Sequence, residues 1–233
     1  MKVEIWSDVM CPFCYIGKHR FERALAQFTD KDKVQVEWKS FQLDSTLQGV
    51  VSKDEYFAKK GFSNEQFKAV SQNLKQMAAE ENIVIDNEKT IISNTYKAHQ
   101  LMQLAKAINS TADVEEVLFK MYFEEGFNMD QDETIYEAAK RLNIPADLVK
   151  DALENKTYEA AFETDLYEAQ QFGISGVPFF IFDRKYAVSG AQPVEHFLGA
   201  LNQAFTEWQN KQPQPLVNLS NPTGDSCDIN GNC

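Results

Sequence analysis

The sequence predicts an α/β fold split by a large all-helical insertion, and three observations predict it. Strand patterns close around one helix at the start of the chain, strand patterns return after residue 176, and 53–172 between them is almost continuous helical spacing. At 233 residues the chain can bury a sizeable core but is long for one compact domain without an insertion. The expected division is 1–45 with 174–211 as one discontinuous α/β domain, 46–173 as the helical insertion, and 212–233 as a flexible tail.

Residues 2–6 are short and β-rich, and 15–28 place Ile16, Phe21, Leu25 and Phe28 at helical spacing. In 34–41, Val34, Val36 and Trp38 alternate with Gln35, Glu37 and Lys39, which predicts a strand with one buried face and Lys39 on the other. A helical crossover between the two strands makes them parallel. Inside the insertion the breaks fall at 61–64, 85–87, 109–111, 126–130 and 143–145. Ser63 with Gln66 three residues later resembles a capping box, and Thr90, Asp130 and Asp132 are expected helix starts. No fixed-period repeat occurs, so the insertion is not a solenoid. The apolar run 178–182, the turn 183–185 and the strand 186–189 predict a hairpin. A closing helix over 193–208 follows, with Pro193 in its first turn and Phe197, Leu198, Leu201 and Phe205 on one face.

A net charge of -12 without a compensating Lys/Arg cluster argues against nucleic acid and anionic membrane surfaces as partners. Glu4, Ser7 and Asp8 interrupt any apolar leader, and no run approaches the roughly 18 apolar residues of a membrane span, so a cytoplasmic chain beginning at Met1 is expected. The four cysteines form two close pairs, Cys11 with Cys14 and Cys227 with Cys233. In a reducing compartment such pairs are more often catalytic, redox-sensing or metal-binding than structural.

The chemistry centres on Cys11-Pro12-Phe13-Cys14, a Cys-x-x-Cys at a strand-to-helix junction. Cys11 falls at the helix N-cap, where the free N–H groups of Phe13 and Cys14 are expected to point at its sulfur and the helix dipole favours the thiolate. Pro12 suits the first helical position because its missing N–H is not needed there. Cys14, one turn on, is expected to be more buried and to act as the resolving thiol. The bland alternative is half of a zinc site, or two packed core cysteines.

The segment Ser7-Asp8-Val9-Met10-Cys11-Pro12-Phe13-Cys14-Tyr15-Ile16-Gly17-Lys18 resembles the active-site segment of the DsbA-type thioredoxin-fold oxidoreductases, specifically their cytosolic FrnE-like group. A second segment, Gly173-Ile174-Ser175-Gly176-Val177-Pro178-Phe179-Phe180 with Gly190-Ala191-Gln192-Pro193, is similar to the same group's later signature. The resemblance covers 1 to about 210 and implies a thioredoxin-like fold acting on polypeptide or small-molecule thiols and disulfides. It implies that Cys11 and Cys14 are the catalytic pair. It also implies a cis Val177-Pro178 bond facing them, with Val177, Pro178, Pro12 and Phe13 contacting substrate. Where DsbA carries Pro-His between its cysteines, Phe13 has no side-chain donor, so a couple less oxidising than roughly -120 mV and nearer roughly -270 mV is expected. No metal and no cofactor beyond the redox pair is implied, with glutathione a candidate co-substrate.

Of the three histidines, His19 lies too far along the helix to reach Cys11 and His196 is expected at the surface. His99, within Asn94-Thr95-Tyr96-Lys97-Ala98-His99, resembles a segment the family places near the active-site groove, which makes His99 and Asn94 candidate accessory residues against a core or surface reading. Cys227 and Cys233 enclose an Asn-Gly turn and are a candidate redox shuttle, because sixteen flexible residues reach about 20 to 24 Å. Two other functions compete. Kappa-class glutathione transferases and hydroxychromene carboxylate isomerases look alike across the insertion but carry Ser at the first cysteine. A non-enzymatic adaptor, redox-responsive or holding zinc on all four cysteines, is the third reading. The sequence assigns no oligomeric state.

Overall fold

The computed structural model describes residues 1–211, so the Cys227–Cys233 pair, and with it any four-cysteine zinc site, lies outside the described residues. Strand β1 (Lys2–Ser7) enters helix α1 (Pro12–Gln27), which returns through a short 3₁₀ turn to strand β2 (Gln35–Ser40). β2 runs parallel to β1 in the register Lys2–Gln35 to Ser7–Ser40, as the crossover requires. Seven helices follow: α2 (Lys53–Lys59), α3 (Asn64–Glu80), α4 (Tyr96–Ala107), α5 (Val114–Phe119), α6 (Asp132–Arg141), α7 (Ala146–Glu154) and α8 (Glu159–Gln171). Strands β3 (Phe179–Phe182) and β4 (Tyr186–Ser189) then form the hairpin, and α9 (Val194–Lys211) closes the fold. β3 is antiparallel to both β1 and β4, giving the sheet order β2-β1-β3-β4.

Two large apolar clusters flank α1. One joins β1, β3 and α9 through Val3, Ile5, Phe21, Phe180, Phe182 and Phe197. The other joins the residues around the cysteines to the inserted helices. The Ser63–Gln66 capping box forms as expected, with both reciprocal bonds made.

Three local expectations need correction. Thr90 does not start a helix; its hydroxyl donates to the Asp86 carbonyl, and the chain stays non-helical until Tyr96. Asp132 is the first residue of α6, whereas Asp130 lies outside it. Lys39 is buried, because Asp165 and Glu168 of α8 hold its ammonium at 2.9 and 2.8 Å. The Asp165 carboxylate also accepts from the Ser40 backbone at 2.9 Å and the Gln103 amide at 2.6 Å. A buried polar layer therefore covers the part of the sheet where alternation predicted solvent.

Candidate active site

Cys11 caps α1 in extended backbone, with φ −89° and ψ 110°, and Pro12 follows inside the first turn. Its N–H donates to the Asp8 carbonyl and its own carbonyl accepts from the Cys14 N–H, each at 3.0 Å. The expectation that the Phe13 and Cys14 N–H groups turn to the sulfur fails. The cap makes no side-chain hydrogen bond, since the backbone closes on itself, and the Cys11 thiol turns instead to the Val177 carbonyl at 3.5 Å. Both thiols are free; Cys11 retains 5% exposure and Cys14 none. Burial pushes the Cys14 thiol well up from its ordinary value, and its contact with Cys11 adds to this, outweighing the opposite pull of Ser7 and the Asp8 backbone. The pair is asymmetric: one sulfur at the edge of solvent, the other a protonated thiol behind it.

The Val177–Pro178 bond is cis, as the resemblance implied. Gly17 lets this loop rest on α1, for a Cβ there would stand 3.0 Å from Cγ of Pro178. Asp8, fully buried, holds the approach to Cys11. Its carboxylate accepts from the Met10 N–H at 3.3 Å and from the Leu43 N–H at 2.7 Å, tying the ends of β1 and β2 together.

Beside Cys11 opens a cavity of about 350 Å³ under α2 and α3. Met10, Leu43, Phe57, Leu74 and Val177 make much of its wall, and Pro12 and Phe13, the latter 37% exposed, stand at it. A larger cavity of about 550 Å³ between β2 and α4 is lined by neither Cys11 nor Cys14. Among the described residues no group of three or more His, Cys, Asp or Glu is placed to hold a metal ion.

The accessory candidates separate. Asn94 is occupied in joining loops: its side-chain oxygen accepts from Gln42 at 2.8 Å and from the Tyr96 N–H at 2.9 Å, and its amide donates to the Leu47 carbonyl at 3.0 Å. His99 is fully buried with Nε2 3.5 Å from Asp8 Oδ1, although neither ring nitrogen makes a hydrogen bond. It stands behind the loop that carries Cys11. His19 pairs with Glu116 at 3.1 Å, and His196 is exposed. Sequence reasoning missed Tyr122, which lines the cysteine cavity fully buried with an unpartnered hydroxyl. It sits in the π-helical turn Lys120–Glu125, a distortion often found at functional sites. Gly126 ends that turn at φ 78°, where a Cβ would meet the Lys89 carbonyl at 2.8 Å. That glycine was the one available signal, and it read only as a break.

The family model of the DSBA-like thioredoxin domain matches residues 2–202. The uncharacterized protein YwbO of Bacillus subtilis (strain 168) is 28% identical over 182 residues, 77% of this chain and 85% of that protein. The crystal structure of a probable DsbA oxidoreductase, SCO1869 from Streptomyces coelicolor, superimposes with a TM-score of 0.85 at 36% identity, covering 99% of this chain and 97% of that one. Cytosolic disulfide reductase DsbM from Pseudomonas aeruginosa, solved with GSH, shares the fold at a TM-score of 0.60 and 13% identity, covering 91% of this chain and 100% of the other.

Proposed function

The chain belongs to the DsbA-like thioredoxin domain family, and from that premise we propose that it is a cytosolic thiol–disulfide oxidoreductase working through a mixed disulfide on Cys11. The observation that carries the reading is the asymmetry of the pair: Cys11 at the mouth of a cavity, Cys14 fully buried with its pKa raised. A substrate disulfide entering beside Phe13 is attacked by the Cys11 thiolate, which breaks the substrate S–S bond, releases one sulfur as a thiolate and leaves the other half on Cys11. The Cys14 thiol then gives up its proton, attacks Cys11 and releases the second half. Run backwards, the same steps donate a disulfide.

The Val177 carbonyl, which the free Cys11 thiol contacts, becomes available to a bound polypeptide once that thiol has reacted. No helix among the described residues is long and apolar enough to cross a membrane. Without a donor on Phe13 the couple is less oxidising than that of DsbA; a potential above about -150 mV against a glutathione series would reject that part of the reading.

The test is trapping. A Cys14→Ser variant should accumulate adducts on Cys11 in extracts and with insulin, released by a reductant. Absence of adducts under conditions where the unaltered chain reduces insulin would overturn the assignment of Cys11 as attacker.

A further inference from the structure

Resting on the reading above and deepening it, the geometry points to a substrate class. We propose that the cavity beside Cys11 takes a small-molecule disulfide with an apolar body ending in a carboxylate. The walls are apolar and the volume of about 350 Å³ falls in the small-molecule range. Among the described residues that line it, the one ordinarily charged side chain is a cation, Lys53. The Tyr122 hydroxyl is fully buried without a hydrogen-bond partner, and the Asn87 amide nitrogen, also buried, has none. Lys53 stands on the same wall, its ammonium donating to the Asn87 and Glu88 carbonyls. No Asp or Glu lines the cavity, in a chain whose net charge is -12.

Unpaired buried donors are costly, and an anionic acceptor is the group that repays them. Burial lowers the Lys53 pKa, with Asp86 and Glu88 only partly opposing it, so an incoming carboxylate would restore what solvent no longer supplies. Burial raises the Tyr122 phenol well above its ordinary value, with the Asp8 charge adding to this, so it serves as a neutral donor. Glutathione disulfide is a poorer match: each half brings an ammonium, for which the cavity offers no carboxylate.

The exchange is balanced within one turnover. The thiols of Cys11 and Cys14 lose two electrons and two protons as their S–S bond forms. The substrate S–S bond breaks, and its two halves leave as thiols carrying those electrons and protons. No other reductant is needed when the protein starts reduced.

The experiment uses the pre-reduced full chain with Cys227→Ser and Cys233→Ser, so that only Cys11 and Cys14 contribute. Single-turnover rate constants are compared for the disulfides of 6-mercaptohexanoic acid and 6-aminohexanethiol, for glutathione disulfide, and for insulin. The carboxylate disulfide should exceed the amine disulfide and glutathione disulfide by about tenfold or more, the scale of a hydrogen bond to a charged group. Lys53→Gln, Asn87→Ala and Tyr122→Phe should each shrink the carboxylate-to-amine ratio, read below the onset of each variant's thermal melt so that unselective thiols of unfolded chains do not contribute. Equal rates for the two hexyl disulfides, a ratio indifferent to all three substitutions, or faster reaction with insulin or glutathione disulfide would overturn the substrate class while leaving thiol–disulfide exchange standing. No reaction with any of the four would overturn the proposed function itself.

Discussion

Helix α1 divides the molecule into two regions with opposite habits. On the α9 side, Phe21 packs against Phe180, Phe182 and Phe197 with ring centroids 5.5, 6.2 and 5.8 Å away, and the cluster is apolar throughout. On the insertion side, Cys14, Tyr15 and Ile16 face a core that also buries polar atoms without hydrogen-bond partners: Nδ1 of His99, both amide atoms of Gln100, and the hydroxyls of Ser93, Thr95 and Tyr122. Each such atom costs about 1–3 kcal/mol when left unsatisfied. On these terms the α9 side should contribute more to stability than the insertion side.

The largest effect should come from the apolar side. Phe180 is fully buried between Phe21 and Phe197, so Phe180→Ala should cost roughly 3–5 kcal/mol and lower Tm by about 6 to 20 °C in a thermal melt. A loss under about 1 kcal/mol would mean that this cluster is not the stabilising half.

Lys18 comes next, on the insertion side. Its buried ammonium lies 2.7 Å from Asp113 of the α5 N-cap, 3.0 Å from Glu116 and 2.8 Å from Glu22. Burial opposes the charge, but Asp113 and Glu22 outweigh it and hold the lysine pKa up. Lys18→Met should cost about 1–3 kcal/mol in a denaturant melt, less than removing one partner of a fully buried pair, because Asp113 keeps 48% of its side-chain surface.

The same latch sets an acid limit. Burial would raise the Glu116 carboxyl, but the hydrogen bond with His19 and the Lys18 charge hold it well below the ordinary 4.5. A carboxyl with a depressed folded-state pKa contributes stability above its unfolded value and loses it as pH falls through the folded one. Denaturation midpoints should therefore drop as pH falls below about 5, and Glu116→Gln should flatten that acid limb. An identical limb in the variant would show that the latch does not carry the acid response.

Legibility in the sequence follows the same division. The β-α-β unit, the hairpin and α9 declare themselves by local periodicity, and the Ser63–Gln66 box by a four-residue pattern. The cysteine pair was readable because its chemistry lies within one turn. Lys39 was misplaced because its carboxylate on Glu168 lies 129 positions away, beyond the reach of any alternation rule. Tyr122 was missed because its place in the cavity depends on a π turn that shifts the helical face, and nothing in Lys-Met-Tyr-Phe-Glu-Glu distinguishes that turn from an ordinary one.

The smallest expected effect is the sharpest test of the division. Removing a partnered buried group destabilises a protein, whereas removing an unpartnered one relieves a cost. The Tyr122 ring packs 4.8 Å from Phe123 by centroid and would stay in place in Tyr122→Phe, which deletes only the orphan hydroxyl. That variant should melt at the same temperature as the unaltered chain or slightly above it, a gain of about 0–1 kcal/mol, even as it loses preference among substrates. A drop beyond about 1 kcal/mol would mean that the hydroxyl serves structure. The insertion side would then carry less unsatisfied cost than its unpartnered atoms imply, and the contrast across α1 would narrow.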